Sequence, residues 1–153
     1  MTVEDPHAQP SPHAQPSPRL QPGLHPQADP HPPEPPPTPR PEPGVVVHLD
    51  EAGQDKHAAV LTNIANLLSE LGDTTPVELV CHGPGVDLCL RGGPAGEQLE
   101  ALIGRGVTVA ACRNTMRGRG IRPEQLAAGV VVVPAGVGEL VRKQRQGWAY
   151  LRP

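Results

Sequence analysis

The chain has almost no aromatic residues: its 153 residues include one tryptophan, one tyrosine and no phenylalanine. Proteins that bind single strands and most RNA-binding modules stack bases on aromatic rings, so this composition argues against nucleic acid as a partner. The two rings, Trp148 and Tyr150, are expected in the core or at a subunit interface, with the core favoured. The rest of the core must be built from valine, leucine, isoleucine and alanine.

Cysteines and long apolar runs are also scarce. The 3 cysteines include no Cys-x-x-Cys pair, so neither a disulfide framework nor a zinc site of the usual spacing is expected. Reduced thiols in a cytoplasmic protein are the simplest interpretation. The chain starts without a basic, apolar leader, and no window approaches the length of a membrane span, so neither secretion nor a membrane location is expected.

Most of the 22 prolines precede Gly44, and the hexapeptide Pro-His-Ala-Gln-Pro-Ser occurs twice in tandem from Pro6 to Ser17. Residues 1–43 contain too few apolar side chains to offset the entropy of ordering, which predicts a disordered proline-rich tail. A spacer or tether is the favoured role of this tail. Two other roles stay open, a Pro-x-x-Pro ligand for an aromatic groove and metal binding by the histidines at positions 7, 13, 25 and 31.

The net charge of -3 comes from the tail, because acidic and basic residues balance over residues 44–153. That balance gives no indication of nucleic acid or anionic membrane as a partner. The length of this part suits one compact domain and excludes a two-domain enzyme. Five short runs rich in β-branched residues are predicted strands, at residues 45–49, 77–81, 107–111, 130–133 and 148–151.

Apolar residues at three-to-four spacing predict helices between these strands. In the last helix, Val137, Leu140 and Val141 are expected to face inward. The central strands are apolar almost throughout, which is typical of a sheet covered on both faces. The pattern predicts a three-layer α/β/α domain over residues 44–153 around a mostly parallel five-stranded sheet. The predicted helices span residues 58–71, 97–103 and 137–145, with a short helical turn at Pro123.

Ligands of such domains bind beyond the carboxyl ends of the strands, where Cys112 follows the third apolar run. Nearby amides and the cations of Arg113 and Arg117 would stabilise its thiolate, although a small buried hydrophobic residue is the commoner role of a lone cysteine. Asn114 and Thr115 either hold an anionic sulfur or cap the next turn. If they do not support Cys112, these arginines belong to a solvated charged loop.

His82, at the end of the second predicted strand, either exchanges a proton at this rim or is simply hydrogen-bonded. Cys81 and Cys89 are expected in the core, with a resolving role as the alternative. No complete phosphate-binding glycine motif follows a strand, so nucleotide binding is a weak option.

Several segments, in this order, resemble the DsrE/DsrF-like family over residues 44–153. They are Val-Val-Val-His-Leu from Val45, Val-Glu-Leu-Val-Cys-His-Gly-Pro-Gly-Val-Asp from Val77, Val-Thr-Val-Ala-Ala-Cys-Arg-Asn-Thr-Met from Val107, Val-Val-Val-Val-Pro-Ala-Gly-Val-Gly-Glu-Leu from Val130 and Gln-Gly-Trp-Ala-Tyr-Leu-Arg-Pro from Gln146. The resemblance implies a three-layer α/β/α fold, oligomers such as trimers or hexamers, and a role in sulfur relay. It also implies that Cys112, in Ala-Cys-x-Asn-Thr, carries a persulfide.

Two hypotheses follow. The first is a persulfide carrier without a cofactor or metal, in which Cys112 exchanges sulfur with donor and acceptor proteins and His82 handles the proton. In this hypothesis Arg113 and Arg117 stabilise the anion, and the amides of Asn114 and Thr115 hold it. The second is a noncatalytic oligomeric module that binds a small anion or nucleotide at the same rim, with the tail as a tether.

Overall fold

A computed structural model describes residues 43–153, so the predictions for the tail before Pro43 lie outside the described residues. The strands are β1 Val45–Leu49, β2 Val77–Cys81, β3 Thr108–Cys112, β4 Val130–Val133 and β5 Ala149–Leu151. The helices are α1 Gln54–Leu71, α2 Gly96–Gly104, α3 Arg113–Gly118 and α4 Gly136–Arg145. Two short 3-10 helices, Gly83–Cys89 and Pro123–Gln125, complete the order, and the second confirms the turn predicted at Pro123.

The five strands form one sheet in the order β4-β3-β2-β1-β5. Every neighbouring pair is parallel, including β1 with β5, whose direction the sequence left undecided. Parallel neighbours need a crossover, and the intervening helices supply it. The predicted α/β fold class is therefore confirmed.

Alternation along β1 divides the core between the two faces of the sheet. Val45, Val47 and Leu49 pack in a cluster with buried side chains of α1 and α2. Val46 lies in a second cluster, with Val80 and Ala110 of the next strands and Leu140 of α4. The chain progresses from β1 to β4 in one direction and then returns to β5, so right-handed crossovers place α4 on the face opposite α1 and α2.

Helix α4 is held to the sheet by apolar packing and by an ion pair. Leu140 is 6% exposed, and Lys143 Nζ lies 2.6 Å from Glu78 Oε2 on β2. The same ammonium group lies 4.0 Å from the centre of the Trp148 ring. These contacts hold the carboxyl-terminal half of α4 near the edge of the sheet where β2 and β5 begin.

The prediction that Val137 and Val141 face inward is wrong, since they are 61% and 46% exposed and only Leu140 of the three is buried. The reason is that α4 is the only helix on its side of the sheet within residues 43–153, so no described helix covers its flanks. Trp148 is half-buried against the second cluster, whereas Tyr150 is 42% exposed.

Strand β3 extends one residue beyond its predicted end, because Cys112 still pairs with Val133 of β4. The chain then enters α3 at once, so Asn114 and Thr115 lie in a helical first turn that the apolar pattern did not predict. Among the described residues, no helix combines the length and apolar composition needed to cross a bilayer.

We predict that Gly85→Ala lowers the free energy of unfolding by about 1–3 kcal/mol, because the added Cβ overpacks a filled site. A Cβ at Gly85 would lie 2.4 Å from the carbonyl oxygen of Leu49, at the end of β1. Gly104→Ala is the matched control, since a Cβ there meets no atom within 4 Å. Urea unfolding of both variants measures the difference, and equal midpoints would contradict the prediction.

Candidate functional site

The carboxyl ends of β1, β2 and β3 lie side by side and place Asp50, His82 and Cys112 at one rim of the sheet. The register of the strands then decides on which face of the sheet each of these side chains lies. Val46, Val80 and Ala110 face α4, and side chains two residues further along each strand point to the same side. His48, His82 and Cys112 therefore share the face on which α4 begins.

Cys112 is a buried residue, only 5% exposed, surrounded by hydrogen-bond donors. Burial acts to raise the pKa of its thiol. Hydrogen bonds from the amides of Thr115, Gly136 and Asn114 and from the Thr115 hydroxyl outweigh that effect, so the pKa lies below the ordinary thiol value. The site thus favours a thiolate.

The converging donors follow from the way in which two helices begin. The first amides of a helix have no partner within it, so those of Asn114 and Thr115 remain free to point back at the end of β3. Gly136 is the first residue of α4, which follows β4, the neighbour of β3, and its amide also bonds to the sulfur. The first turns of two helices, α3 and α4, therefore meet at Cys112.

Two contacts hold this arrangement together. The amide of Gly83 donates to the Thr115 hydroxyl at 2.9 Å, which ties the end of β2 to α3. A Cβ at Gly136 would lie 2.8 Å from the Cβ of His82, so only glycine lets α4 start this close to the rim. The lack of a side chain at residue 136 is thus a requirement for the amide to reach Cys112.

Arg113 and Arg117 are exposed residues of α3. The groups that lower the pKa of Cys112 are backbone amides and a hydroxyl. A third arginine of this segment, Arg119, pairs with Asp87 at 2.7 Å. The supporting role of Arg113 and Arg117 stays a prediction.

His82 is hydrogen-bonded to a second histidine of the rim. Its Nε2 lies 2.6 Å from Nε2 of His48, and Nδ1 of His48 lies 2.7 Å from the Tyr150 hydroxyl. Oδ2 of Asp50 is 3.9 Å from Nε2 of His48. Burial lowers the pKa of His48, and the neighbouring Asp50 carboxylate partly opposes this. The proton-transfer role of His82 at Cys112 stays a prediction.

The other two cysteines lie on the opposite face of the sheet from Cys112. Cys81 and Cys89 are 0% exposed and lie in the cluster on the α1 side of the sheet. A hydrogen bond with Cys89, together with burial, raises the pKa of Cys81 well above the ordinary thiol value, so its environment does not favour a nucleophilic thiolate. The core position expected for both residues is confirmed.

Sequence reasoning missed His48 and Tyr150 as members of this rim. Asp50 and Gly136 were recognisable only as residues that follow apolar runs, and His48 as a polar interruption of the first run. No local pattern predicts the contact between His48 and Tyr150. It depends on the strand order, because β5 pairs with β1 although the two residues are 102 positions apart in the chain.

A profile of the DsrE/DsrF-like family matches residues 45–153. The solved structure of a protein of unknown function from Methanobacterium thermoautotrophicum, MTH1491, is similar with 37% identity and a TM-score of 0.70, covering 73% of this chain and 100% of that one. The ychN protein from E. coli is 23% identical, with a TM-score of 0.63 and the same coverage, which shows likeness of fold alone. A comparison with curated proteins gave no match.

We predict that Thr115→Val raises the pKa of Cys112, because it removes the hydroxyl donor while keeping the side-chain shape. Thiolate absorbance followed against pH, as the difference between each protein and its Cys112→Ser counterpart, measures this pKa. Thr75→Val is the control, since the hydroxyl of Thr75 bonds to the carbonyl of Leu71 far from the rim. An unchanged titration in Thr115→Val would contradict the prediction.

Proposed function

Since this chain belongs to the DsrE/DsrF-like family, we propose that it is a sulfur-relay protein that carries sulfane sulfur as a persulfide on Cys112. The observation that supports this most is the group of four hydrogen-bond donors around the Cys112 sulfur. Exchange of sulfur requires a thiolate, and these donors stabilise one without any cofactor.

The proposed reaction conserves atoms and electrons. The Cys112 thiolate attacks the outer sulfur of a donor persulfide, the sulfur-sulfur bond of the donor breaks, and the donor thiolate leaves. A persulfide anion then remains on Cys112. An acceptor thiolate attacks its outer sulfur, the bond to Sγ breaks, and the Cys112 thiolate is restored.

The surrounding residues have separate roles in this proposal. The amides of Asn114, Thr115 and Gly136 hold the negative charge in both states of the sulfur. The exposed Arg113 and Arg117 attract anionic donors and acceptors to the rim. His82 positions the site through its contact with Gly136.

The partners in this proposal are donor and acceptor proteins of a reducing, cytoplasmic compartment, and a homo-oligomer such as a trimer or hexamer. Free Cys81, Cys89 and Cys112 are in keeping with such a compartment. Exposed valines support an interface between copies: Val137 and Val141 are one turn apart on α4 and, like Val131 of edge strand β4, are at least 45% exposed.

We predict that the reduced chain gains the mass of one sulfur atom after incubation with a low-molecular-weight persulfide. Peptide mapping should place that atom on Cys112, because hydrogen-bond donors lower the pKa of this thiol, whereas Cys81 and Cys89 are fully buried. Cys112→Ser should abolish loading and keep the fold, whereas Cys89→Ser serves as the control that still loads.

Loading that persists in Cys112→Ser would overturn the carrier proposal. A folded protein that takes up no sulfur would also overturn it and would favour the alternative module, with the amides at the rim holding a small anion instead. When Cys112 does load, transfer to a second thiol is measured as loss of the added sulfur mass after a reduced acceptor thiol is supplied.

We also predict that the double variant Val137→Lys with Val141→Lys dissociates the oligomer, because two ammonium groups replace apolar contact surface. Leu71→Lys is the control, since Leu71 is a comparably exposed apolar residue, 54% accessible, at the end of α1 on the other side of the sheet. Light scattering after size exclusion gives the mass of each. A monomeric wild type, or equal masses of the two variants, would contradict the prediction.

A further inference from the structure

We propose that His48, His82 and Asp50 form a binding site for a divalent transition-metal ion, with zinc as the preferred ion. This inference is independent of sulfur chemistry at Cys112, and it assigns a role to His48 and Asp50, which the persulfide proposal leaves unused. Among the described residues, these three bring one ligand atom each to within 4.8 Å of the others.

The distances suit a shared ion. Zinc lies about 2.0–2.2 Å from nitrogen and oxygen ligands, so ligand atoms of a tetrahedral site are about 3.3 Å apart. The Nε2 atoms of His48 and His82 are 2.6 Å apart, and Oδ2 of Asp50 is 3.9 Å from the former. The first distance is shorter than the ideal separation and the second is longer, so small side-chain rotations bring all three atoms into place.

The tautomer of His48 also suits a ligand. Nδ1 of His48 lies 2.7 Å from the Tyr150 hydroxyl oxygen, which can accept the proton on that nitrogen. Nε2 then presents a lone pair towards His82 and Asp50. A metal-bound histidine usually donates its other ring N–H in this way, which fixes the ring and increases its basicity.

Asp50 is oriented by a partner of its own. Arg152 donates to its Oδ1 at 2.9 Å and to Oε1 of Glu51 at 3.1 Å, so Oδ2 remains directed at His48. The Glu51 carboxylate offsets the positive charge of the guanidinium near the ion. The ligands stand in β1 or directly after β1 and β2, on adjacent strands of the sheet, which is a rigid base for a coordination site.

The ligand set indicates the class of metal. Two imidazoles and one carboxylate bind zinc and iron(II) in proteins, whereas magnesium and calcium prefer oxygen ligands throughout. Three protein ligands leave a fourth position for water or a substrate atom. That position lies at the same rim as Cys112, since Gly136 contacts His82 with its Cα and bonds to the Cys112 sulfur with its amide.

Without a metal, the close pair of imidazoles requires a proton between the two Nε2 atoms, because two lone pairs at 2.6 Å repel each other. The bound ion takes the place of that proton, and His82 then carries its proton on Nδ1 as the other neutral tautomer. A simple hydrogen bond between the histidines is therefore the competing explanation, and the experiment must separate the two.

The test uses the full-length chain in which the tail histidines are replaced by glutamine, because any zinc bound by imidazoles of the tail would obscure binding at the rim. Calorimetric titration with Zn²⁺ should show one ion per chain, and Mg²⁺ should give no binding heat. Co²⁺ then serves as a spectroscopic probe and should give visible d–d bands without a thiolate-to-metal charge-transfer band. The replaced residues are His7, His13, His25 and His31.

Variants of the site decide between the explanations. His48→Gln and His82→Gln should each weaken Zn²⁺ binding by at least about tenfold. Asp50→Asn should do the same and, at a position that is partly exposed, should leave the fold unchanged. Asp87→Asn is the matched control, because Asp87 is also partly exposed and paired with an arginine, Arg119, but lies outside the cluster.

Three outcomes would overturn the proposal. The first is that the chain binds no Zn²⁺, which leaves the hydrogen-bonded histidine pair as the explanation. The second is equal affinity in Asp50→Asn and Asp87→Asn, with circular dichroism showing both folded. The third is a charge-transfer band that disappears in Cys112→Ser, which would make Cys112 the ligand. None of these outcomes bears on sulfur loading, which is measured in metal-free buffer with chelator.

Discussion

Parallel pairing of β1, β2 and β3 is the interaction on which the rest of this structure depends, because it brings three strand ends to one edge of the sheet. In a parallel sheet the helices that follow the strands begin at that same edge, with unpaired amides. Here α3 starts directly after Cys112, and α4 starts at Gly136, whose amide also bonds to the sulfur. The chemistry of the rim is therefore a consequence of sheet topology combined with the absence of a side chain at one position.

Two cysteines at the ends of adjacent strands show how strongly the face of the sheet decides ionisation. Cys81 lies on the α1 side, where burial and a hydrogen bond with Cys89 raise its pKa. Cys112 lies on the α4 side, where burial is outweighed by amide and hydroxyl donors and the pKa falls. A thiolate is stabilised only where dipoles replace the solvent that burial removes.

Gly136 links the two proposed centres of the rim. Its amide bonds to the Cys112 sulfur, and its Cα packs against His82, which contacts His48. Tyr150 and Arg152 then extend the arrangement through β5 and the residues that follow it. A sulfur-carrying thiolate and an open metal position on the same face would give one rim two ways of handling an anionic ligand, by backbone dipoles and by a cation.

The sequence by itself determined the elements of this protein: the apolar runs predicted the strands to within a residue or so, three-to-four spacing predicted α1, α2 and α4, and position after a strand singled out Cys112. These features are local, since each depends on neighbours along the chain. Only the tertiary structure decided the direction of β5, the exposure of Val137 and the short helix at Asn114 and Thr115. It also decided that His48 meets Tyr150 and His82, from 102 and 34 residues away. Such contacts follow from strand order and face, which result from packing of the whole sheet and are not encoded in any local pattern.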